Sequence, residues 1–353
     1  MTGRPAALAL VALASVALAG SGCGDDDEPA AAGPPAIRVP AEVAGKSQPR
    51  QAYVKPLGAA VLSTQAVADP GYVRAFVTHF TSLTPEAGTR WQAIHPDEDR
   101  FDFEEADAVL DLARSTGKQV RGHALVEPED LPAWMSERDW DRHELAGVLS
   151  EHVEAVVGRY RGRVAEWDVV DGMLDREGRH VRSVLFEVLG ESYIDIALRA
   201  ARRADPGARL FIEDDGMEVP GRKSFAMLAL VRRLKARGAP LDAIGFHNRA
   251  SARRYPTRDQ LLGTFEAYSR LGLDTAITQM DVVVEEGSDL ADQAEAFGAA
   301  AAACLAARSC IGLTVWGVTD RYAAREAPFR PLLFDAFAAP KPALTAVVQR
   351  FLR

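Results

Sequence analysis

Seven acids stand where apolar runs of this chain stop: Glu86, Glu127, Asp171, Asp214, Asp215, Asp281 and Asp320. Near them lie Arg90, His123, His247, Arg249, Gln279 and Trp316. Carboxyl groups gathered at one rim can exchange protons across a glycosidic bond or ligate a cation. No glycine-rich phosphate cradle, HExxH or paired CxxC accompanies them, so the set favours carbohydrate or cation chemistry over nucleotide chemistry. No resident metal or cofactor is expected. The competing structural reading is that several of these acids cap the helices that follow them.

The stretch VAEWDVVDGML at 164–174 shows how such a rim is built. An apolar run from Val164 to Val170 reads as a buried strand, and it breaks off in Asp171 and Gly172. Similar runs are expected over Gln119–Val126, Arg209–Asp214, Ala243–His247, Thr275–Asp281 and Ile311–Val318, with weaker ones over Gly58–Leu62 and Phe76–Thr84. Between them lie helical patterns. Glu104–Thr116 puts Ala106, Val109, Leu110 and Ala113 on one face, with Gly117 as a stop; Ser192–Ala204, Lys223–Arg237 and Ala291–Ala307 follow. About eight strands alternating with helices predict an α/β fold, a single-domain (β/α)8 TIM barrel over 51–353. An open doubly wound sheet is the alternative, but no glycine-rich loop follows the first strand. In such a barrel the strand ends carry the chemistry, and all seven acids fall there.

The chain of 353 residues is 48% hydrophobic with a formal net charge of -9, which suits a large core and disfavours nucleic acid as a partner. Arg4 followed by the apolar stretch 6–19 reads as a signal peptide, predicting export. Cleavage after Ala17-Leu18-Ala19 and lipidation at Cys23, within a lipobox-like LAGSGC, are both open. A lipid on Cys23 would be the chain's one contact with a membrane, on the outer side of a bacterial cytoplasmic membrane; without it the protein would be secreted. Residues 24–50, acidic and then rich in Ala and Pro, read as a disordered tether. In an exported protein Cys304 and Cys310 are expected to pair, a short loop contributing about 2 kcal/mol. Two buried free thiols are the alternative.

Taken in order, LTPE at 83–86, WQAIHPDEDRFDFEEAD at 91–107, RGHALV at 121–126, WDVV at 167–170, FEVLGESYIDIALRAARRADPGARLFIEDD at 186–215, IGF at 244–246, TVWGVTDRY at 314–322 and PLLFDAFAAPKPA at 331–343 resemble glycoside hydrolase family 10, the endo-1,4-β-xylanases. The resemblance implies a (β/α)8 barrel that cleaves xylan with retention, using two glutamates about 5 to 5.5 Å apart. Cys304 and Cys310 fall where many members carry a disulfide. The acid/base motif WDVVNE corresponds to WDVVDG here, placing Gly172 at the glutamate. The nucleophile's TELD-like motif corresponds to Thr278, Gln279, Met280 and Asp281. Loss of both carboxylates would lower the rate by on the order of 10⁴ to 10⁶.

Other cleft positions differ as well. Where the family has LVWH this chain has Leu125-Val126-Glu127-Pro128; the TPEN asparagine is Ala87, a nearby lysine is Arg90, the histidine supporting the nucleophile is Arg249, and an aromatic platform is Ala324. Glu86, His123, Trp316 and Asp320 are kept. His123 is expected to be a hydrogen-bonded structural residue, and Trp316 either a sugar platform or simple packing. The shorter arm of Asp171 is expected to aim away from the lost leaving group, and Arg249 to pair with Asp171, Asp281 or Glu127. Three readings follow: a noncatalytic exported barrel that binds xylan or another carbohydrate, a glycosidase with relocated carboxylates (Asp171, Glu127, Asp281), and a structural or protein-interaction scaffold with a closed mouth.

Overall fold

The structure is a computed structural model in which residues 37, 39–41, 53–324 and 329–352 are described. The stretch expected to be an export signal, with Cys23, and the expected tether apart from residues 37 and 39–41 lie outside them. Ile37 and Val39, expected within a disordered tether, pack against the hydrophobic core, so ordered contacts begin before residue 51.

Nine strands occur in chain order: β1 Leu57–Val61, β2 Ser82–Pro85, β3 Gln119–Gly122, β4 Glu166–Asp171, β5 Arg209–Asp214, β6 Ala243–Phe246, β7 Arg249–Ser251, β8 Asp274–Val283 and β9 Cys310–Val315. Eight of them close a parallel barrel. Each of β1 to β5 pairs with the next strand, β6 pairs with β8, β8 with β9, and β9 returns to β1. The short β7 lies outside this ring, alongside the far end of β8.

Helices fill the crossovers much as the periodicity demands. Glu104–Thr116 ends at Gly117, whose φ of 64° is left-handed, a conformation that glycine adopts without a Cβ clash. Ser192–Ala204 matches its expected span, and Arg222–Ala236 and Leu290–Ala306 begin and end one residue earlier than expected. Asp289 caps the last of these by accepting from the N–H groups of Ala291 and Asp292.

The early strand over Phe76–Thr84 is the main error. Its first half belongs to the helix Pro70–His79, capped by Asp69 with proline in its first turn, and only Ser82–Pro85 is extended. Tyr72, Val73, Phe76 and Val77 are buried together, the i, i+4 spacing of one helical face, so the apolar pair at 76 and 77 belongs to a helix and not to a strand. The third strand also stops at Gly122, short of Val126. A Cβ at Gly122 would come within 2.1 Å of the Trp167 ring, so glycine lets β3 and that indole approach.

Cys304 and Cys310 are disulfide-bonded, their Cα atoms 5.0 Å apart, tying the helix Leu290–Ala306 to the start of β9.

Inside the barrel the filling changes along the axis. Phe211, Ala243 and Ala276 form an apolar plug with Ile311 packed against it. The Arg121 guanidinium lies 4.0 Å above the Phe211 ring, and from there toward the carboxyl ends the interior is polar. Three register shifts bend these strands, one between Asp168 and Val170 of β4 and two on β8, between Thr275 and Ile277 and between Ile277 and Met280.

Candidate active-site cleft at the carboxyl ends of the strands

Arg121 on β3 begins a column of buried charge. It donates to both oxygens of Asp168, reaches Glu166 at 2.8 Å and lies 3.8 Å from Glu213. Above it, His123 Nδ1 sits 2.8 Å from Glu213 Oε1 and 3.2 Å from Asp168 Oδ2. His247, just beyond β6, places Nε2 3.1 Å from Asp171 Oδ1 and 3.5 Å from Glu213 Oε1. Arg121, His123 and His247 thus face Asp168, Glu213 and Asp171, three cations against three carboxylates.

The electrostatics follow from that matching. Burial alone would lower the pKa of His123, but its bonds to Asp168 and Glu213 raise it to about 9. Burial is likewise overcome at His247, where Asp171 and Glu213 hold the pKa well above the usual histidine range. Burial would raise Glu213, yet hydrogen bonds from His123 and His247 keep it well below the usual carboxylate range. These shifts favour the charged form of His123 at neutral pH and act in the same sense at His247, whose Nε2 also meets the Gln279 amide nitrogen at 2.9 Å.

Gln279 sits at the top of the column. Its carbonyl oxygen accepts from Arg249, which turns its amide N–H groups toward Glu213 Oε1 at 3.2 Å and Asp171 Oδ2 at 3.4 Å. Arg249 thus binds the amide, whereas it was expected on an acid of the mouth. Asp171 is served by His247 and Gln279, and Glu127 pairs with Arg90 at 3.4 Å, beside an Arg90–Asp130 contact of 3.0 Å. Simple alternation predicts that Asp171 aims away from the lost leaving group and out of the cleft. The shift in β4 brings Asp168 and Asp171 to the same interior, and Asp171 is 3% exposed among these partners.

The remaining candidates divide by surroundings. Asp214 is held by Lys223 at 2.7 Å and accepts the Leu174 N–H, and burial pushes its carboxyl up to about 7 against that lysine. Asp215 also pairs with Lys223, Asp281 is buried on β8, and Asp320 takes Lys341 at 2.9 Å and the Leu332 N–H. Glu86 is half-buried beyond β2, and burial raises its carboxyl to about 7 despite Arg90, Arg249 and His123. Burial and the charge of Asp171 raise Glu127 in the same sense. Trp316 is 4% exposed, edge-on to His123 at 4.8 Å, with the Arg249 guanidinium 5.9 Å from its ring. Packing accounts for it better than a sugar platform does. Gly172 follows β4 with φ 68° and presents no side chain to the cleft.

Glu213, Asp168 and Arg121 were missed by sequence reasoning. Glu213 is wholly buried one residue before the chosen Asp214, and a signal existed: in LFIED it lies two positions from Phe211, which also faces the interior. His123, Asp171 and Glu213 bring donor atoms within 4.8 Å of one another, close enough to hold a metal ion. The imidazolium of His247 and the guanidinium of Arg121 already supply the positive charge such an ion would bring.

A closed parallel barrel whose acids and histidines converge at the carboxyl ends of its strands is a (β/α)8 barrel with its polar cleft on the face where such barrels carry their sites. The sequence profile of Glycosyl hydrolase family 10 matches residues 47–350, and the chain belongs to that family. It is 35% identical to endo-1,4-beta-xylanase B of Humicola insolens, over 77% of this chain and 78% of that protein. It is 33% identical to an endo-1,4-beta-xylanase of Agaricus bisporus, over 76% and 82% of the two chains. Among solved structures, xylanase 10B from Thermotoga petrophila RKU-1 in complex with xylobiose superposes with a TM-score of 0.80 at 32% identity, covering 84% of this chain and 94% of the xylanase.

Proposed function

We propose that this chain is a noncatalytic family 10 barrel, exported and held at or near the cell envelope, that binds carbohydrate without cleaving it. The observation that carries the reading is Gln279. An amide cannot attack an anomeric carbon or hold negative charge against an oxocarbenium ion, and this one is bonded by Arg249 on one side and by Glu213 and Asp171 on the other. Gly172 cannot protonate a leaving oxygen. Export rests on the apolar stretch 6–19, and attachment on Cys23. Carbohydrate as ligand rests on kinship with xylanases, one of them solved with xylobiose.

A reading with relocated carboxylates draws on one specific feature: Glu86, pushed to about 7, stands beside a cleft that also holds the buried carboxyl of Asp171. Such a pair offers a proton donor and a base. Reducing-sugar release across xylan, mixed-linkage glucan and mannan separates the two. No turnover is expected. Turnover that vanishes in Asp171→Asn or Asp281→Asn would replace the noncatalytic reading, and absence of heat on titrating xylo-oligosaccharides would remove xylan as the ligand. A wholly closed scaffold is disfavoured by an open cavity of about 800 Å³ lined in part by Glu86.

A further inference from the structure

A cluster of near-parallel rings lies behind the cleft wall, apart from the axis. His152, on the helix Arg142–Arg159, lies 4.0 Å from Trp91 with planes 2° apart and 5.5 Å from His95 with planes 8° apart, and Phe101 lies 4.0 Å from His95. His152 is wholly buried and His95 is 4% exposed. The Nε2 of His152 meets Leu125 O at 3.1 Å, and that of His95 meets Glu98 O at 3.0 Å. A carbonyl only accepts, so each Nε2 carries the hydrogen of a neutral ring and each Nδ1 keeps a lone pair that has no partner among the described residues. These contacts hold the wall of the cleft. Leu125 precedes Val126, whose N–H donates to Val169 O, and Glu127, which pairs with Arg90 next to Trp91. Trp134 donates to His95 O at 3.3 Å.

We propose that His95 and His152 form an acid-sensitive latch: as neutral rings they hold 91–103 and 125–131 against the barrel, and protonation of His152 releases both stretches. A proton on Nδ1 would place charge where no carboxylate is free to meet it. Glu98 pairs with Arg138, Asp97 and Asp102 with Arg100, Glu127 and Asp130 with Arg90, and Glu154 of the same helix with Arg203. Burial, and after it the like charge that His95 acquires, hold the His152 pKa well below the usual histidine range. The cation–π attraction of Trp91 for a charged ring does not offset the loss of water around an unpaired ion. Because the folded pKa is depressed, the neutral ring's contribution is complete above about pH 6.5 and is lost as pH falls below it. Across the whole chain Asp214, Glu86 and Glu218, each raised to about 7 by burial, act the opposite way and outweigh this one site. The latch therefore acts on local opening rather than on global unfolding. It works on the wall of the cleft whatever ligand the cleft takes.

The test is amide hydrogen exchange on the intact chain from about pH 7.5 to about pH 5, corrected for the intrinsic pH dependence of exchange. Protection in 91–103 and 125–131 should fall by up to about tenfold per pH unit below about pH 6.5, while the helix Ser192–Ala204 keeps its protection. His152→Gln keeps an N–H for Leu125 O but takes no proton, and it should remove the acid response of both stretches. Protection that stays level in the wild type, or an acid response that survives in His152→Gln, overturns the proposal. So does a parallel loss in Ser192–Ala204, which would mark unfolding of the whole barrel. Where the variant fails to fold, ring-nitrogen NMR of the wild type decides: His152 Nδ1 should stay unprotonated until protection is lost, and a protonated His152 in a fully protected wall overturns the latch.

Discussion

The axial column and the side cavity lie close together, and they treat charge in opposite ways. Along the axis Arg121, His123 and His247 are spent on Asp168, Glu213 and Asp171, with Gln279 and Arg249 closing the top. In the cavity Arg321 and Arg330 are exposed on the wall, and neither has a short ion pair among the described residues. A buried charge must be matched by its own protein, because the cost of removing it from water is recovered only by a close partner. A charge beside an open cavity keeps its water and is free to meet a ligand. The difference teaches that acids at a barrel mouth do not by themselves define a reaction: those of the axis are matched by cations of the same column.

The largest effect should come from removing one member of the axis. Arg121→Met strips Asp168 of its bidentate partner and should destabilise the fold by about 3 to 5 kcal/mol, read from denaturant unfolding. A loss below about 1 kcal/mol would mean that the column is not the closed system described here.

Restoring carboxylates comes next. Gln279→Glu adds a third acid beside Asp171 and Glu213, and Gly172→Glu forces a side chain onto a left-handed backbone costing about 1 to 2 kcal/mol. No atom lies within 4 Å of a Cβ at Gly172, so the strain is conformational rather than steric. The double variant should melt at lower temperature and still release no reducing sugar from xylan. Recovered xylanase activity would show that the cleft stayed intact and only the chemistry was lost.

The pH profile gives a subtler reading. His123 and His247 have folded pKa values above their unfolded ones, so their contribution is complete below about pH 6.5 and is lost as pH rises through about 9 for His123. Asp214 and Glu86, raised to about 7, act in the same direction because ionising them in place is unfavourable. Glu213 is depressed and contributes above about pH 4.5, its share being lost in stronger acid. Thermal stability should therefore peak near about pH 4 to 5, where Glu213 is ionised and Asp214 and Glu86 are still protonated in the fold, and fall by several degrees toward about pH 9. A flat profile between these values would break the assignment of charged imidazoles.

The smallest effect is expected at the rim. Arg90 pairs with Glu127 and Asp130 while all three remain about a quarter exposed. Arg90→Ala should cost no more than about 1 kcal/mol, the measure of how cheap a mouth contact is beside the column beneath it.

Much of the fold was legible. Alternating apolar runs and amphipathic stretches gave the barrel, and helices such as Ser192–Ala204 fell where their periodicity put them. Short apolar runs were ambiguous: Phe76 and Val77 are helical because Asp69 caps their segment, a local signal that outweighed strand propensity. The site was legible in its members more than in its contacts. Asp171, His247 and Gln279 do meet, but Arg249 went to the amide and Glu213 was overlooked beside Asp214.

The sequence by itself determined the parallel barrel, the family, the glycine at 172 and the glutamine at 279, because periodicity and residue identity are local facts. Only the tertiary structure decided which acids are matched by buried cations and which cations stay exposed. That depends on the register shifts of β4 and β8, which turn Asp168 and Asp171 into one interior, and on distances between strands far apart in the chain. Coulombic matching is a property of those distances, and no run of residues contains them.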